Sequence, residues 1–152
     1  MRTRLHGHCS PREVDSPSRA FSREFKPTMY TFELSLQYRK AVRERNLDAV
    51  IALFSSDAVI VTPLKGSCDP RTYHEWLFAT VKKSTVSVIN AFQALNEEIC
   101  LAVLADYEWQ MHDNKTINFT GMSVFDFTPD RMKIKRMRTF YDTSAVRPQL
   151  VS

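Results

Sequence analysis

From residue 29 the hydrophobic positions recur first at helical and then at strand spacing. Tyr30, Leu34, Tyr38 and Ala41 or Val42 fall three or four apart, with Glu33, Arg39, Lys40, Arg43 and Glu44 on the other side. This predicts an amphipathic helix over Met29–Arg45, ended by Asn46. Leu47, Val50, Ile51 and Phe54 give a second, short helical face over Leu47–Phe54. Ser55-Ser56-Asp57 reads as a turn, and Ala58–Thr62 as a short strand stopped by Pro63 and a Gly66-Ser67 loop. Asp69 followed by Pro70 is the signature of a helix start, and Tyr73, Trp76, Leu77, Thr80 and Val81 continue it. The alternation Thr85-Val86-Ser87-Val88-Ile89 then opens a strand.

Three long β-forming runs follow, Ile99–Met111, Thr116–Phe127 and Met132–Tyr141, separated by His112-Asp113-Asn114-Lys115 and Thr128-Pro129-Asp130. Asp and Asn at the first break, and Pro and Asp at the second, supply turn chemistry, so the runs read as an antiparallel meander. Helices gathered before a meander predict an α+β fold with the helices on one sheet face.

Residues 1–28 are rich in Arg, Ser and Pro and lack apolar periodicity, so a disordered tail or mistaken extension is expected there. Arg and Ser would suit a mitochondrial presequence; Glu13, Asp15 and Glu24 oppose it. The expected organisation is a folded domain over residues 29–145 and a C-terminal tail over residues 146–152. The net charge is +4. Six basic and three acidic groups in residues 1–28 supply +3 of this, which leaves the folded part nearly neutral and argues against nucleic acid as a partner. Arg131, Lys133, Lys135, Arg136 and Arg138 read as the solvated face of the last strand. No apolar run reaches the roughly 20 residues of a membrane helix. Cys9, Cys68 and Cys100 are an odd number without close spacing, and the four histidines lack metal-ligand spacing, so neither a disulfide framework nor a metal is expected. A reducing, cytoplasmic setting is the expectation.

The order of these elements, the phrase Tyr38…Arg45-Asn46-Leu47-Asp48-Ala49-Val50…Phe54…Asp57-Ala58-Val59, and the ending Phe125-Asp126-Phe127…Met132-Lys133-Ile134…Phe140-Tyr141-Asp142 resemble the nuclear transport factor 2-like superfamily. Within it the chain looks most like the SnoaL-like polyketide cyclases, ketosteroid isomerases and limonene-epoxide hydrolases, over roughly residues 30–142. The resemblance implies a curved sheet wrapped around the first helix, a ligand cavity at the wide end, and a homodimer formed through the outer sheet face. It implies a small apolar organic ligand and no metal or organic cofactor. A fold of this kind hosts many chemistries, so its residues are carried over singly.

Tyr38, eight residues before Asn46, matches the isomerase tyrosine that donates to the substrate oxygen. Thr62, ahead of Pro63, stands where the isomerases have an aspartate base, and Ser123 roughly where they have a second acidic donor. Neither hydroxyl replaces a carboxylate base near neutral pH. The epoxide-hydrolase Arg-x-Asp pair aligns with Asp106-x-Glu108, and the last-strand acid with Thr139. The resemblance makes Met137, Thr139 and Tyr141 the cavity side of the last strand. It gives Asp142, at the strand end, an acid or base role; His74, on the third helix near Trp76, is expected at the cavity mouth, and Trp76, Met137 and Tyr141 as apolar walls.

The central choice is one of parity. Leu104, Asp106, Glu108 and Gln110 share one face of their strand; Val103, Ala105, Tyr107, Trp109 and Met111 share the other. With the acids inward, two carboxylates in a low-dielectric cavity would split their pKa values and serve as acid and base. Cyclisation, isomerisation or dehydration would then follow, with Tyr38 stabilising an oxyanion. With Tyr107 and Trp109 inward, the domain is a non-catalytic ligand-binding or dimerisation module, and Asp142 is the main remaining acid.

Overall fold

The computed structural model describes residues 29–94 and 99–150. Their order is α1 (Met29–Arg43), α2 (Leu47–Ala52), β1 (Phe54–Thr62), β2 (Gly66–Cys68), α3 (Pro70–Thr80), β3 (Val81–Gln93), β4 (Cys100–Met111), β5 (Thr116–Phe127), β6 (Ile134–Tyr141) and α4 (Arg147–Leu150). The expected disordered segment, residues 1–28, lies outside the described residues. The strands form one six-stranded curled sheet in the order β2-β1-β6-β5-β4-β3. Every pairing is antiparallel except β1 with β6. The architecture is the expected α+β one. Register shifts interrupt β1–β6 between Phe54 and Val59, and β3–β4 between Val81 and Lys83 and between Val88 and Asn90. Such irregularities bend strands and increase twist.

Two helix starts follow the side-chain chemistry read from the chain. Asp69 caps α3 by accepting from the Thr72 amide and hydroxyl, and Asn46 caps α2 by accepting from the Ala49 amide. Arg45 ends α1 in the left-handed region, with φ of 55°. The Arg45 amide donates to Val42 and the Asn46 amide to Ala41, the pairing of a Schellman motif, where glycine is usual. The side chain explains the arginine. Its guanidinium donates to the Phe78, Val81 and Lys82 carbonyls at the junction of α3 and β3 and lies 5.1 Å from the Phe78 ring centroid.

Several boundaries move. Phe54 begins β1 rather than ending α2, and Ser55-Ser56-Asp57 lie within the strand as an irregularity rather than in a turn. The Gly66-Ser67 loop is part of a short strand paired with β1. Met132 precedes the last strand in a turn where Arg131 takes φ of 62°. Tyr30, expected on the buried stripe of α1, is half exposed at 50%; Thr31, Leu34, Ser35, Tyr38 and Ala41 form the buried face. In the segment expected as a tail, Val146 is fully buried.

The core lies between the helices and the concave sheet face, with Val50, Ile60, Leu101, Ile117, Phe125, Ile134 and Met137 at its centre. Among the described residues, no helix is long and apolar enough to cross a membrane.

Candidate functional site

Pairing between β4 and β5 runs without a shift from Cys100↔Asp126 to Gln110↔Thr116. With no bulge to reset parity, period-2 alternation holds along β4. Leu101, Val103, Ala105, Trp109 and Met111 are buried and Tyr107 is half-buried, whereas Asp106 and Glu108 are exposed.

This corrects the placement of the two acids. Asp106 and Glu108 stand on the outer face with Thr85, Ser87, Asn118 and Thr120. Asp106 accepts a 2.6 Å hydrogen bond from the Thr120 hydroxyl. The apolar set faces inward because burying Tyr107, Trp109 and Phe119 removes far more apolar surface from water than burying two carboxylates, which would also lose their hydration.

A cavity of about 500 Å³ opens between α1 and the inner sheet face. Three rows of register partners build its wall: Val86–Tyr107–Phe119, Val88–Ala105–Gly121–Tyr141 and Val103–Ser123–Thr139. Tyr107 stacks on Phe119 with centroids 5.0 Å apart and planes 4° from parallel. Trp109 and Tyr141 meet the same Phe119 ring, each at 4.9 Å. Gly121 leaves the space these rings use. A Cβ there would meet the Phe140 carbonyl oxygen at 3.1 Å, Tyr141 Cβ at 3.2 Å and Tyr107 Cε2 at 3.4 Å. From the helices, Tyr38, Val42, Tyr73 and Leu77 close the cavity, and exposed Phe32, Leu36, Lys40 and Arg43 lie at its margin.

Polar groups are few. The Tyr107 hydroxyl and Ser123 Oγ share a hydrogen bond of 3.0 Å. Thr139 Oγ1 is buried and has no hydrogen-bond partner among the described residues. Arg39 lines the cavity half-buried, although helical periodicity assigns it to the outer side of α1. Burial lowers the Arg39 pKa from its ordinary value, and the neighbouring Tyr107 opposes that shift. Burial pushes Tyr107 up, while Ser123 and Arg39 pull it back. Burial also pushes Tyr141 up to about 12.

The Tyr38 hydroxyl meets His74, which is not among the lining residues. His74 is fully buried, and its Nδ1 lies 2.7 Å from the Pro70 carbonyl oxygen. That oxygen only accepts, so Nδ1 carries the proton. Nε2 is then the acceptor for the Tyr38 hydroxyl, 3.0 Å away. Burial holds the His74 pKa down at about 4, so the imidazole is neutral near pH 7. Burial likewise raises the Tyr38 pKa well above its ordinary value. Proton transfer from Tyr38 to His74 is therefore strongly uphill; the pair is a clamp that fixes the tyrosine.

Of the residues singled out from the sequence, Tyr38, Ser123, Met137, Thr139 and Tyr141 line the cavity. Six others do not. Asp106 and Glu108 face outward. Asp142 is exposed and accepts from the Ser144 amide at 2.8 Å, a turn-stabilising role. Thr62 Oγ1 accepts from the Lys65 amide. Trp76 lies under Lys65 Nζ at 5.4 Å, and His74 supports Tyr38 from outside the lining. Alternation along β4 could have identified Tyr107 and Trp109. Arg39, Tyr73 and Gly121 carried no comparable sequence signal. Among the described residues, no group of three or more His, Cys, Asp or Glu side chains could hold a metal ion.

No protein-family model matches the sequence, and no curated protein matches it. Solved structures do match in fold. A protein of Shewanella denitrificans assigned as a SnoaL-like polyketide cyclase is 13% identical with a TM-score of 0.66, covering 80% of this chain and 96% of its own. The epoxide hydrolase/cyclase-like enzyme SalBIII, which acts in pyran ring formation in the polyether salinomycin, is 21% identical with a TM-score of 0.65, covering 77% and 94%. TerC, co-crystallised with polyporic acid, is 16% identical with a TM-score of 0.67, covering 81% and 99%. The helices, the curled six-stranded sheet and these likenesses together give the chain the fold of the nuclear transport factor 2-like superfamily.

Proposed function

We propose that this domain binds one small, largely apolar, oxygen-bearing organic molecule in the cavity between α1 and the sheet. The observation that carries the reading is the lining. Aromatic and aliphatic side chains enclose about 500 Å³, with the Tyr107–Ser123 pair and the unpartnered Thr139 hydroxyl as sparse polar anchors. That volume and that mixture suit a drug-sized ligand. The crystallisation of TerC with an organic molecule supports a small-molecule role for a cavity in this fold.

No described Asp or Glu lines the cavity, which favours a binding module over carboxylate acid–base catalysis. Cyclisation, isomerisation or dehydration would have to run on Tyr107, Arg39 and ordered water. Binding is tested with N-phenyl-1-naphthylamine, a neutral fluorophore. The expected result is one saturable site per chain, lost in Val103→Trp, whose indole fills the space beside Ser123. Absence of saturable binding in the wild-type protein, or unchanged binding in a folded Val103→Trp protein, would overturn it.

We further propose that two copies associate through the outer sheet face. Leu104, Met122 and Phe140 are register partners there, and Phe140 is 54% exposed. Contiguous apolar surface of this kind marks association sites. Phe140→Glu should convert a dimer to a monomer in sedimentation velocity; a wild-type monomer at all concentrations would sink the assignment.

A further inference from the structure

We propose that the cavity selects a ligand carrying a carboxylate on its apolar body, and that Arg39 is the group that holds it. The inference rests on the ligand-binding reading and adds the ligand's charge. Arg39, Lys40 and Arg43 line the cavity or its margin, and no described acid does. The cavity and its margin therefore carry positive charge with no acid among the lining residues.

Arg39 differs from the chain's other well-placed cations. Arg136 and Arg138 pair with Asp126, Arg71 with Asp48 and Glu75, and Lys115 with Asp113. Arg45 donates to three carbonyls, and Lys133 to that of Ala52. Arg39 makes no ion pair or hydrogen bond with the described residues, although it is only partly exposed to water. A partly desolvated guanidinium is costly until an anion meets it.

The surroundings select the anion's shape. Guanidinium presents a planar fork that matches a carboxylate's two oxygens. Arg39 and Tyr107 line the same cavity. The Tyr107–Ser123 hydroxyl pair and Thr139 Oγ1 lie on the same inner face. A carboxylate on the fork would leave a flat apolar body against Phe119, Trp109 and Tyr141. Lys40 and Arg43, exposed at the opening, would raise the local concentration of such an anion.

The test compares 2-naphthoate with 2-naphthamide, which share a ring system and differ in charge, by calorimetry on the full chain. Wild-type protein should bind naphthoate about 10- to 100-fold more tightly, the range of a charge-assisted bidentate pair. Arg39→Met should remove that preference and leave naphthamide affinity within about twofold; Arg39→Lys should retain part of it. If wild-type protein binds both equally, or if the preference survives in Arg39→Met, the carboxylate inference fails and the binding reading stands. If neither compound nor the neutral fluorophore binds, both fail. The wild-type comparison decides the matter even where the Arg39→Met protein does not fold.

Discussion

The Tyr38 hydroxyl donates its proton to His74 Nε2 across 3.0 Å, and His74 in turn donates through Nδ1 to the Pro70 carbonyl. One chain of two hydrogen bonds ties α1 to the first turn of α3. The phenol most readily taken for an oxyanion donor thus has its proton engaged on the side away from the cavity. Its ring is held between Phe54 and Phe125, both edge-on at 5.9 and 5.6 Å.

Acid should weaken the fold through His74. Its folded pKa of about 4 lies below the ordinary value of 6.5. As pH falls from 6.5 towards 4, the unfolded chain takes a proton that the folded chain refuses. The stability present above pH 6.5 is lost through that window and levels off below it. The loss is on the order of 3 kcal/mol. Urea denaturation at pH 7 and pH 4.5 should show it, and His74→Phe should flatten the difference.

Thr139→Val should stabilise the ligand-free protein. The hydroxyl is buried without a partner, and such a group costs about 1–3 kcal/mol. Valine keeps the shape and removes the cost, so the denaturation midpoint should rise. Affinity for an oxygen-bearing ligand should fall at the same time. A variant less stable than wild type would mean that the hydroxyl is satisfied.

Gly121→Val should lower stability by about 1–3 kcal/mol, the usual cost of overpacking. The new side chain would press on the Phe140 carbonyl, which is backbone and cannot swing aside, and on Tyr107 and Tyr141. Binding of the neutral fluorophore should weaken more than stability alone explains, because the displaced rings enter the cavity.

Asp106→Asn with Glu108→Gln should leave ligand affinity unchanged. Both carboxylates are exposed on the outer face, where substitutions usually stay within about 0.5 kcal/mol in stability. Loss of binding in that double variant, with the fold intact by circular dichroism, would contradict the geometry.

Arg45→Ala should cost about 2 kcal/mol. Three carbonyls at the junction of α3 and β3 lose this donor. Arg45→Gly should do somewhat better, since glycine relieves the left-handed backbone while losing the same contacts. Chemical denaturation of the two variants side by side measures both contributions.

The chain by itself determined the order of helices and strands, because hydrophobic periodicity, the Asp69-Pro70 helix start and the Asn46 cap are local. The resemblance of the last strand to the nuclear transport factor 2-like superfamily implied the inward set Met137, Thr139 and Tyr141, and all three line the cavity. Tertiary structure decided the rest. Which face of β4 turned inward depended on an unbroken register with β5, a pairing that no single strand encodes. Phe54 left a helical pattern for a strand because β1 pairs with β6 across eighty residues of chain. Arg39 entered the cavity wall because the curled sheet reaches round α1 far enough to partly cover the side its charges were expected to keep in water. Asp106 and Glu108 stayed outside for a physical reason: rings gain from burial what carboxylates lose.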